Sequence, residues 1–423
     1  MRILYTNNTF DRPAGTELSA ADAIGRVIAR GHEAAAYSRQ LGEVADRIRA
    51  LGVPVVDDLQ DLPPGWEPEV IHGHHQWETS LAALRFPSAA VISFCRGVPP
   101  WQEAPCRAPN VKAHVAVDED CVARLTDREG IDPSRITLVL NGVDPARFPP
   151  RPPLPEKPGR ALVFSNYARE DNYFATIRDA CAAEGIVCEA VGAGMGNAVS
   201  DPAPVLARSD LVFAKGKAAL EALFTGCAVI VCDEPGIGDL VMPETIDGLR
   251  RRSFGYGCMP EPITIDAVRA QLRRWDRDRV EAVVDHVRRT ATLDDTVDHL
   301  LRVYEMAQDA ARREGPPPDA AMRQWATGFF SEATHAYKLG RELQEWSRKR
   351  ENSPTPADAR ALTDELNRLL AVHRDVDARL GKLQDKLASR DARIEELKER
   401  LRVAKQGTGA SSGKGRWRWF RRG

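Results

Sequence analysis

Short, nearly uninterrupted apolar runs alternate along this chain with stretches whose apolar residues recur every three or four positions. The first pattern predicts buried strands and the second amphipathic helices. Up to about residue 148, the runs Arg2–Tyr5, His32–Tyr37, Val70–His72, Ala89–Phe94, Val111–Val117 and Ile136–Leu140 read as strands. Leu18, Ala21, Ile24, Val27 and Ile28 mark one face of a helix over Gly15–Arg30, which Gly31 closes. Such alternation predicts a parallel sheet covered on both faces.

Six prolines among residues 149–158 then interrupt the pattern, and a stiff extended connector is expected over residues 149–160. Alternation restarts with a strand at Ala161–Ser165, a helix at Asp171–Glu184, a strand at Val187–Val191 and a short helix near Val205–Ala207. Helices around Asp266–Arg274, Val280–Thr290 and Thr296–Arg312 complete a second unit over residues 161–315. Two α/β units of this kind, 1–148 and 161–315, predict a cleft between them, with ligands outside the carboxyl ends of the strands.

Beyond Pro316-Pro317-Pro318 the character changes. Residues 316–353 read as a helical extension rich in aromatic residues, including Trp325, Phe329 and Phe330. Over residues 354–405, apolar side chains recur at alternating spacings of three and four from Leu362 to Leu401, interrupted at His373 and Arg390. That seam predicts a coiled coil and a homo-oligomer. Residues 406–423 form a flexible linker and a tip in which Arg416, Arg418, Arg421 and Arg422 surround Trp417, Trp419 and Phe420. A tip of this composition suits an anionic membrane surface, stacking on single-stranded nucleic acid, or a solvated tail.

The chain has 423 residues and a net charge of −2, so nucleic acid is not expected as its main partner. Eight scattered cysteines form no C-x-x-C pair and suit structural thiols of a reducing compartment. The chain opens directly into a strand, and no apolar run reaches the roughly 20 residues of a spanning helix. The expected location is cytoplasmic, with peripheral contact at the inner face of a membrane through the tail.

Residues 210–233 carry the densest chemistry. They read as a buried strand (Leu211–Ala214), a Gly216-Lys217 turn, a helix (Ala218–Thr225), a stop at Gly226 and a second buried strand. Unpaired N–H groups at a helix start favour an anion such as a phosphate. Lys217 adds positive charge, and Glu221, one turn on, is suited to a ribose. An ordinary crossover with a turn glycine is the alternative. His72, His74 and His75 cluster at a strand end, where metal binding, acceptor contact and a structural role are all open. Asp118-Glu119-Asp120 reads as the first turn of a helix, favoured there by the helix dipole.

Several of these segments together resemble glycosyltransferases of the GT-B fold, in particular the large retaining family 4, over about residues 1 to 310. Ala14-Gly15-Thr16-Glu17 is similar to the family's G-G-x-E loop, and Arg30-Gly31-His32-Glu33 to its R-G-H-E turn. Val70-Ile71-His72-Gly73-His74 resembles a D-V-I-H-x-H strand end. The segment Ile136 to Asp144, ending Asn141-Gly142-Val143-Asp144 and followed by Phe148, resembles the I-x-V-I-x-N-G-V-D-x-x-x-F hallmark.

The resemblance implies two Rossmann-like domains facing a cleft and transfer of a sugar from a nucleotide-sugar donor to a glycan, lipid-linked or small-molecule acceptor. It implies catalytic roles for Arg169, Lys217 and Glu221, and donor contacts at Gly15, Thr16, Asn166, Gly192, Gly194 and Gly216. His72, His74 and Arg96 fall on the acceptor side; no metal or cofactor is expected, the nucleotide-sugar being a substrate. The chain also departs from the pattern. Phe213 stands where the family has its first donor-side glutamate, Arg96-Gly97 replaces an H-G turn, and a lysine is missing after the strand that ends at Ser165. A catalytically degenerate scaffold acting through its coiled coil is therefore the alternative, and a nucleotide-sugar epimerase a third reading.

Overall fold

The computed structural model describes residues 1–331, apart from Ala14 and Pro99. The seam at 362–401 and the tail at 406–423 lie outside the described residues, as does most of the helical extension.

The first half is a seven-stranded parallel sheet. In chain order it contains β1 (Arg2–Thr6), α1 (Gly15–Ala29), β2 (Glu33–Tyr37), α2 (Glu43–Arg49), β3 (Val55–Val56), β4 (Val70–Gly73) and α3 (Gln76–Arg85). It continues with β5 (Ala90–Cys95), β6 (Val111–Ala116), α4 (Glu119–Ala123) and β7 (Ile136–Leu138). The strand order is β3-β2-β1-β4-β5-β6-β7, so the direction of winding reverses between β1 and β4. Every residue of β4 and β5 is buried, which explains why these runs are apolar apart from His72 and Ser93. The Asp118 side chain caps α4 by accepting from Cys121 N–H, as expected for that acidic run.

The second half contains β8 (Arg160–Phe164), α5 (Tyr173–Ala183), β9 (Val187–Val191), α6 (Ala203–Ala207), β10 (Leu211–Ala214) and α7 (Gly216–Thr225). After these come β11 (Ala228–Asp233), β12 (Gly236–Leu240), α8 (Ile246–Arg251), α9 (Ile265–Leu272) and α10 (Arg277–Thr290). The sheet order is β12-β11-β10-β8-β9, parallel except for the antiparallel edge strand β12. Its winding reverses between β8 and β10. The pattern reading passed over α2, α3, α8, β3 and β12, all short or weakly amphipathic.

The chain crosses between the halves twice, and the first crossing lies ahead of the proline run. Val143 and Phe148 are already buried in the second core. The proline segment packs along that half: Leu154 is buried there, and Arg151 forms an ion pair with Asp210 at 2.7 Å. The return crossing leads into α11 (Leu293–Glu314). Grouped by sequence with the second half, this helix packs instead on the first sheet. Val297, Leu300, Val303 and Tyr304 share one core with Ile3, Tyr5 and Phe94. At the crossings Val143 N–H donates to Ala291 O at 2.9 Å, and Leu293 N–H donates to Val143 O at 2.8 Å. Gly142 sits where a Cβ would lie 2.3 Å from Thr292 O. The Asn141-Gly142-Val143-Asp144 motif is thus the seam where both crossings touch.

Residues 319–331 are helical, and Trp325 packs at the edge of the first half with the Phe329 ring 5.7 Å away, centroid to centroid.

Candidate active site between the two halves

Both winding reversals put strand ends at the same gap. From the second half, β10 ends at Ala214, Lys215 is extended, and α7 starts at Gly216. Gly216 adopts φ +61°, a left-handed conformation that glycine reaches without strain. Its N–H is used by Phe254 O at 3.1 Å. The next N–H groups of the first turn, Lys217 and Ala218, have no acceptor within the helix. From the first half, α1 starts at Gly15. The two helix starts, with Thr16, Arg96, Lys217 and Tyr256, line one cavity of ≈ 660 Å³. Gly15, Thr16, Gly216, Lys217 and Arg96, all selected from the sequence, are therefore brought together.

Charge around the cavity is largely compensated in place. Lys217 Nζ lies 3.5 Å from Asp22 and 3.9 Å from Glu221. Glu221 is buried beneath Lys217 and does not line the large cavity. Burial raises its pKa above the ordinary carboxylate value, against the opposing pull of Lys217 and Arg147. Lys215, which the sequence reading passed over for its neighbour, forms an ion pair with Asp233. Its ammonium also lies 4.6 Å from the Tyr167 ring centroid and 4.8 Å from that of Tyr256. Asp233 additionally accepts from Ser165 Oγ at 2.6 Å and from the Tyr173 hydroxyl at 2.8 Å. Burial pushes this carboxyl up, but Lys215 and the hydrogen bonds outweigh it and hold it below the usual range.

The histidines expected on the acceptor side are sealed below the cavity floor. His72 Nδ1 is hydrogen-bonded to the Tyr304 hydroxyl, and its Nε2 lies 2.9 Å from His74 Nε2. The His72 ring stacks on Phe94 with centroids 3.8 Å apart. Burial first holds both rings well below the ordinary imidazole pKa, followed by the Arg96 charge for His72 and by His72 and then Arg96 for His74. His74 Nδ1 has no hydrogen-bond partner among the described residues. Together with Arg96, Asn141 and Lys217 the two rings bound a small void of ≈ 30 Å³. They support the first wall from beneath; the side chain facing the large cavity is Arg96.

Four other expected donor-side residues do not line that cavity. Arg169 is exposed, and only its backbone is engaged: its N–H donates to Asn172 Oδ1 at 2.9 Å and its carbonyl accepts from Asn172 N–H at 3.2 Å. Asn166 Oδ1 accepts from Ala193 N–H at 3.0 Å, which ties the end of β8 to the turn after β9. A Cβ on Gly192 would lie 2.0 Å from Ser165 O, and one on Gly194 2.3 Å from Ala168 O. These glycines are required by backbone packing. Phe213, in the place of the family's first glutamate, is fully buried.

The halves also meet through contacts that no local pattern announces. Glu119 pairs with Arg251 at 2.6 Å, Asp120 with Arg252 at 3.2 Å, and Arg26 with Asp144 at 2.7 Å. Ser253 and Phe254, between the arginines and Gly216, both take left-handed conformations. Among the described residues no group of three His, Cys, Asp or Glu side chains is arranged to hold a metal ion, and no helix is long and apolar enough to cross a membrane.

No protein-family model matches the chain, and none of the curated proteins is significantly similar to it in sequence. Solved structures do resemble it. A glycosyltransferase from Rickettsia africae ESF-5 superposes with a TM-score of 0.52 at 13% identity, covering 72% of this chain and 98% of that one. A protein assigned as a UDP-N-acetylglucosamine 2-epimerase from Listeria monocytogenes gives 0.46 at 12% identity, over 75% and 98% of the two chains. A variant of the Thermobaculum terrenum O-GlcNAc transferase gives 0.45 at 15% identity, over 74% and 69%. The architecture is that of the GT-B fold, two α/β halves facing a cleft.

Proposed function

We propose that this protein is a glycosyltransferase that moves a sugar from a nucleotide-sugar donor to a glycan, lipid-linked or small-molecule hydroxyl. The observation that carries the reading is the convergence of two helix starts, one from each half, and Lys217 on a single cavity of ≈ 660 Å³. A diphosphate is the ligand such a mouth fits. Helix-start N–H groups and an ammonium stabilise its charge without water having to reorganise. Gly15 and Thr16 face it from one side, Gly216 and Lys217 from the other.

Glu221 suits the donor ribose once Lys217 turns toward a bound diphosphate, because that movement frees the carboxylate from its 3.9 Å contact. Retention of anomeric configuration and independence of metal are carried over from the family resemblance. The homo-oligomer through residues 354–405, which light scattering on the full chain would check, rests on the spacing of the apolar seam, and anionic-membrane contact through residues 406–423 on the basic and aromatic composition of the tail.

Incubating the purified chain with a panel of nucleotide-sugars and following nucleoside diphosphate release by mass spectrometry tests the reading. Glu221→Ala is expected to abolish release while leaving the melting temperature close to that of the wild type. Unchanged turnover would remove Glu221 from the site. Altered donor sugar appearing without any acceptor would establish an epimerase instead.

One observation favours a second reading. With Phe213 at the first glutamate position and Arg169 away from the cavity, the second half lacks two of the donor-side groups that the resemblance implies. A scaffold that has lost catalysis would bind no nucleoside diphosphate from the panel.

A further inference from the structure

Among the described residues, four cations line the large cavity: Arg96, Arg124, Lys215 and Lys217. Three are already matched within the protein. Lys215 is held by Asp233, and Lys217 lies between Asp22 and Glu221. Arg124 Nη1 donates to the carbonyls of Gly97, Val98 and Pro100 at 2.8, 2.9 and 2.9 Å, and its Nε lies 3.7 Å from Glu129. That guanidinium cross-links a loop.

Arg96 differs. It follows β5 directly, and its backbone N–H donates to Glu103 Oε2 at 2.7 Å. Its Nη2 donates to Ser19 Oγ at 3.0 Å and Asn141 Oδ1 at 2.8 Å, both neutral acceptors. No carboxylate lies within ion-pair distance of the guanidinium among the described residues, and Nη1 and Nε have no protein acceptor there. Burial lowers its pKa from the ordinary arginine value, with Glu103, Cys121, Asp118 and Glu17 acting against this from beyond ion-pair distance. A guanidinium drawn into the protein and left without a carboxylate is unfavourable, and a bound anion offsets that cost.

Position decides which anion. Ser19, the Arg96 partner, lies one turn into α1 from Gly15. Arg96, Asn141 and Lys217 border the same small void from opposite halves. A group bound between the two helix starts therefore meets Arg96 from one wall and Lys217 from the other.

We propose that Arg96 supplies, from the first half, the counter-charge for the diphosphate of the donor. This rests on the transferase reading and assigns Arg96 to the leaving group instead of to the acceptor. During transfer the acceptor oxygen bonds to the anomeric carbon and the bond from that carbon to the diphosphate oxygen breaks. The electron pair leaves with the diphosphate, and the hydroxyl proton passes to it or to water. Negative charge thus grows on the oxygen that Arg96 faces, and the halves must be closed for Arg96 to reach it.

Calorimetric titration of the full chain with inorganic pyrophosphate, UDP and GDP tests this. Wild-type protein is expected to bind pyrophosphate, and R96Q to bind it about tenfold or more weakly, as loss of a charged hydrogen bond implies. Adding guanidinium ion at millimolar concentration is expected to restore part of the affinity of R96A, an effect that a purely structural role would not show. Equal pyrophosphate affinity in wild type and R96Q overturns the assignment and leaves the transferase reading standing. Failure of the wild type to bind any of the three probes overturns both. Where R96Q does not fold, R96M, which keeps the length of the side chain without its charge, takes its place; pyrophosphate binding about tenfold weaker or worse is expected, and unchanged affinity refutes the proposal.

Discussion

Gly142→Ala should damage this protein far more than its chemistry suggests. The added Cβ would lie 2.3 Å from Thr292 O and 2.6 Å from Thr296 Oγ1, whereas carbon and oxygen in contact normally stay about 3.3 Å apart or more. The two crossings must therefore separate by roughly 1 Å. That puts at risk the hydrogen bonds from Val143 N–H to Ala291 O and from Leu293 N–H to Val143 O, each worth about 1 kcal/mol net. Overpacking adds about 1–3 kcal/mol. A loss of about 2–4 kcal/mol follows, which in a fold of this size lowers the melting temperature by roughly 3–6 °C. Thermal unfolding followed by circular dichroism measures it. Gly248→Ala is the control, because nothing lies within 4 Å of a Cβ there and alanine is favoured inside a helix, so a slight stabilisation of about 0.5–1 kcal/mol is expected. Because Asn141 holds Arg96, pyrophosphate affinity should fall along with stability in the Gly142 variant. A Gly142→Ala protein that melts with the wild type would refute the account of the crossing.

Two further outcomes follow from the same geometry. Burial, then Arg96, lowers the pKa of His75 to about 4, and burial, then Arg135 and Arg107, does the same for His114. Unfolded imidazoles titrate near 6.5, so below that pH the unfolded chain binds more protons than the fold does. The two contributions are whole above about pH 6.5 and are lost progressively down to about pH 4, amounting at pH 5 to about 2 kcal/mol each. Urea unfolding at pH 7 and pH 5 should show the drop, and His75→Gln with His114→Gln should make it smaller, the share of His72 and His74 remaining; a drop as large in the double variant as in the wild type would refute the burial argument. Reversing Arg251 and Arg252 to glutamate should cost little in overall stability, since exposed pairs contribute about 0–1 kcal/mol each. It should nevertheless open the halves, visible as a larger radius in small-angle scattering, and an unchanged radius would show that these pairs do not hold the cleft shut.

Strands were legible because burial on both faces writes itself as continuous apolar runs, as in Ala90–Cys95 and Ala228–Asp233. An amphipathic face, by contrast, announces a helix without saying which sheet it covers. The apolar stripe of α11 predicted the helix, yet only the contact of Val143 with the return crossing sends it back to the first half. The same limit governs the site. Gly216 and Lys217 were legible because a glycine turn and a helix start are local events. The neighbouring Lys215 carries the same charge, and its neutralisation depends on Asp233 at the end of the next strand. Arg96 was noticed as a replacement for histidine, but its lack of a carboxylate is a property of the assembled fold, set by Ser19 and Asn141, 77 and 45 residues away. Conversely His72 and His74 lie at a strand end that points toward the cleft. Tyr304 of α11 and Phe94 then close over them, so position along the strand overstated their access.

The central claim concerns a place, and a crystal structure of the full chain soaked or grown with a nucleoside diphosphate that it binds tests it most directly. The phosphates are expected between Gly15 and Gly216, within hydrogen-bonding reach of Lys217 and the Arg96 guanidinium. Phosphates found on any other surface, with this cavity still occupied by water alone, would contradict the account.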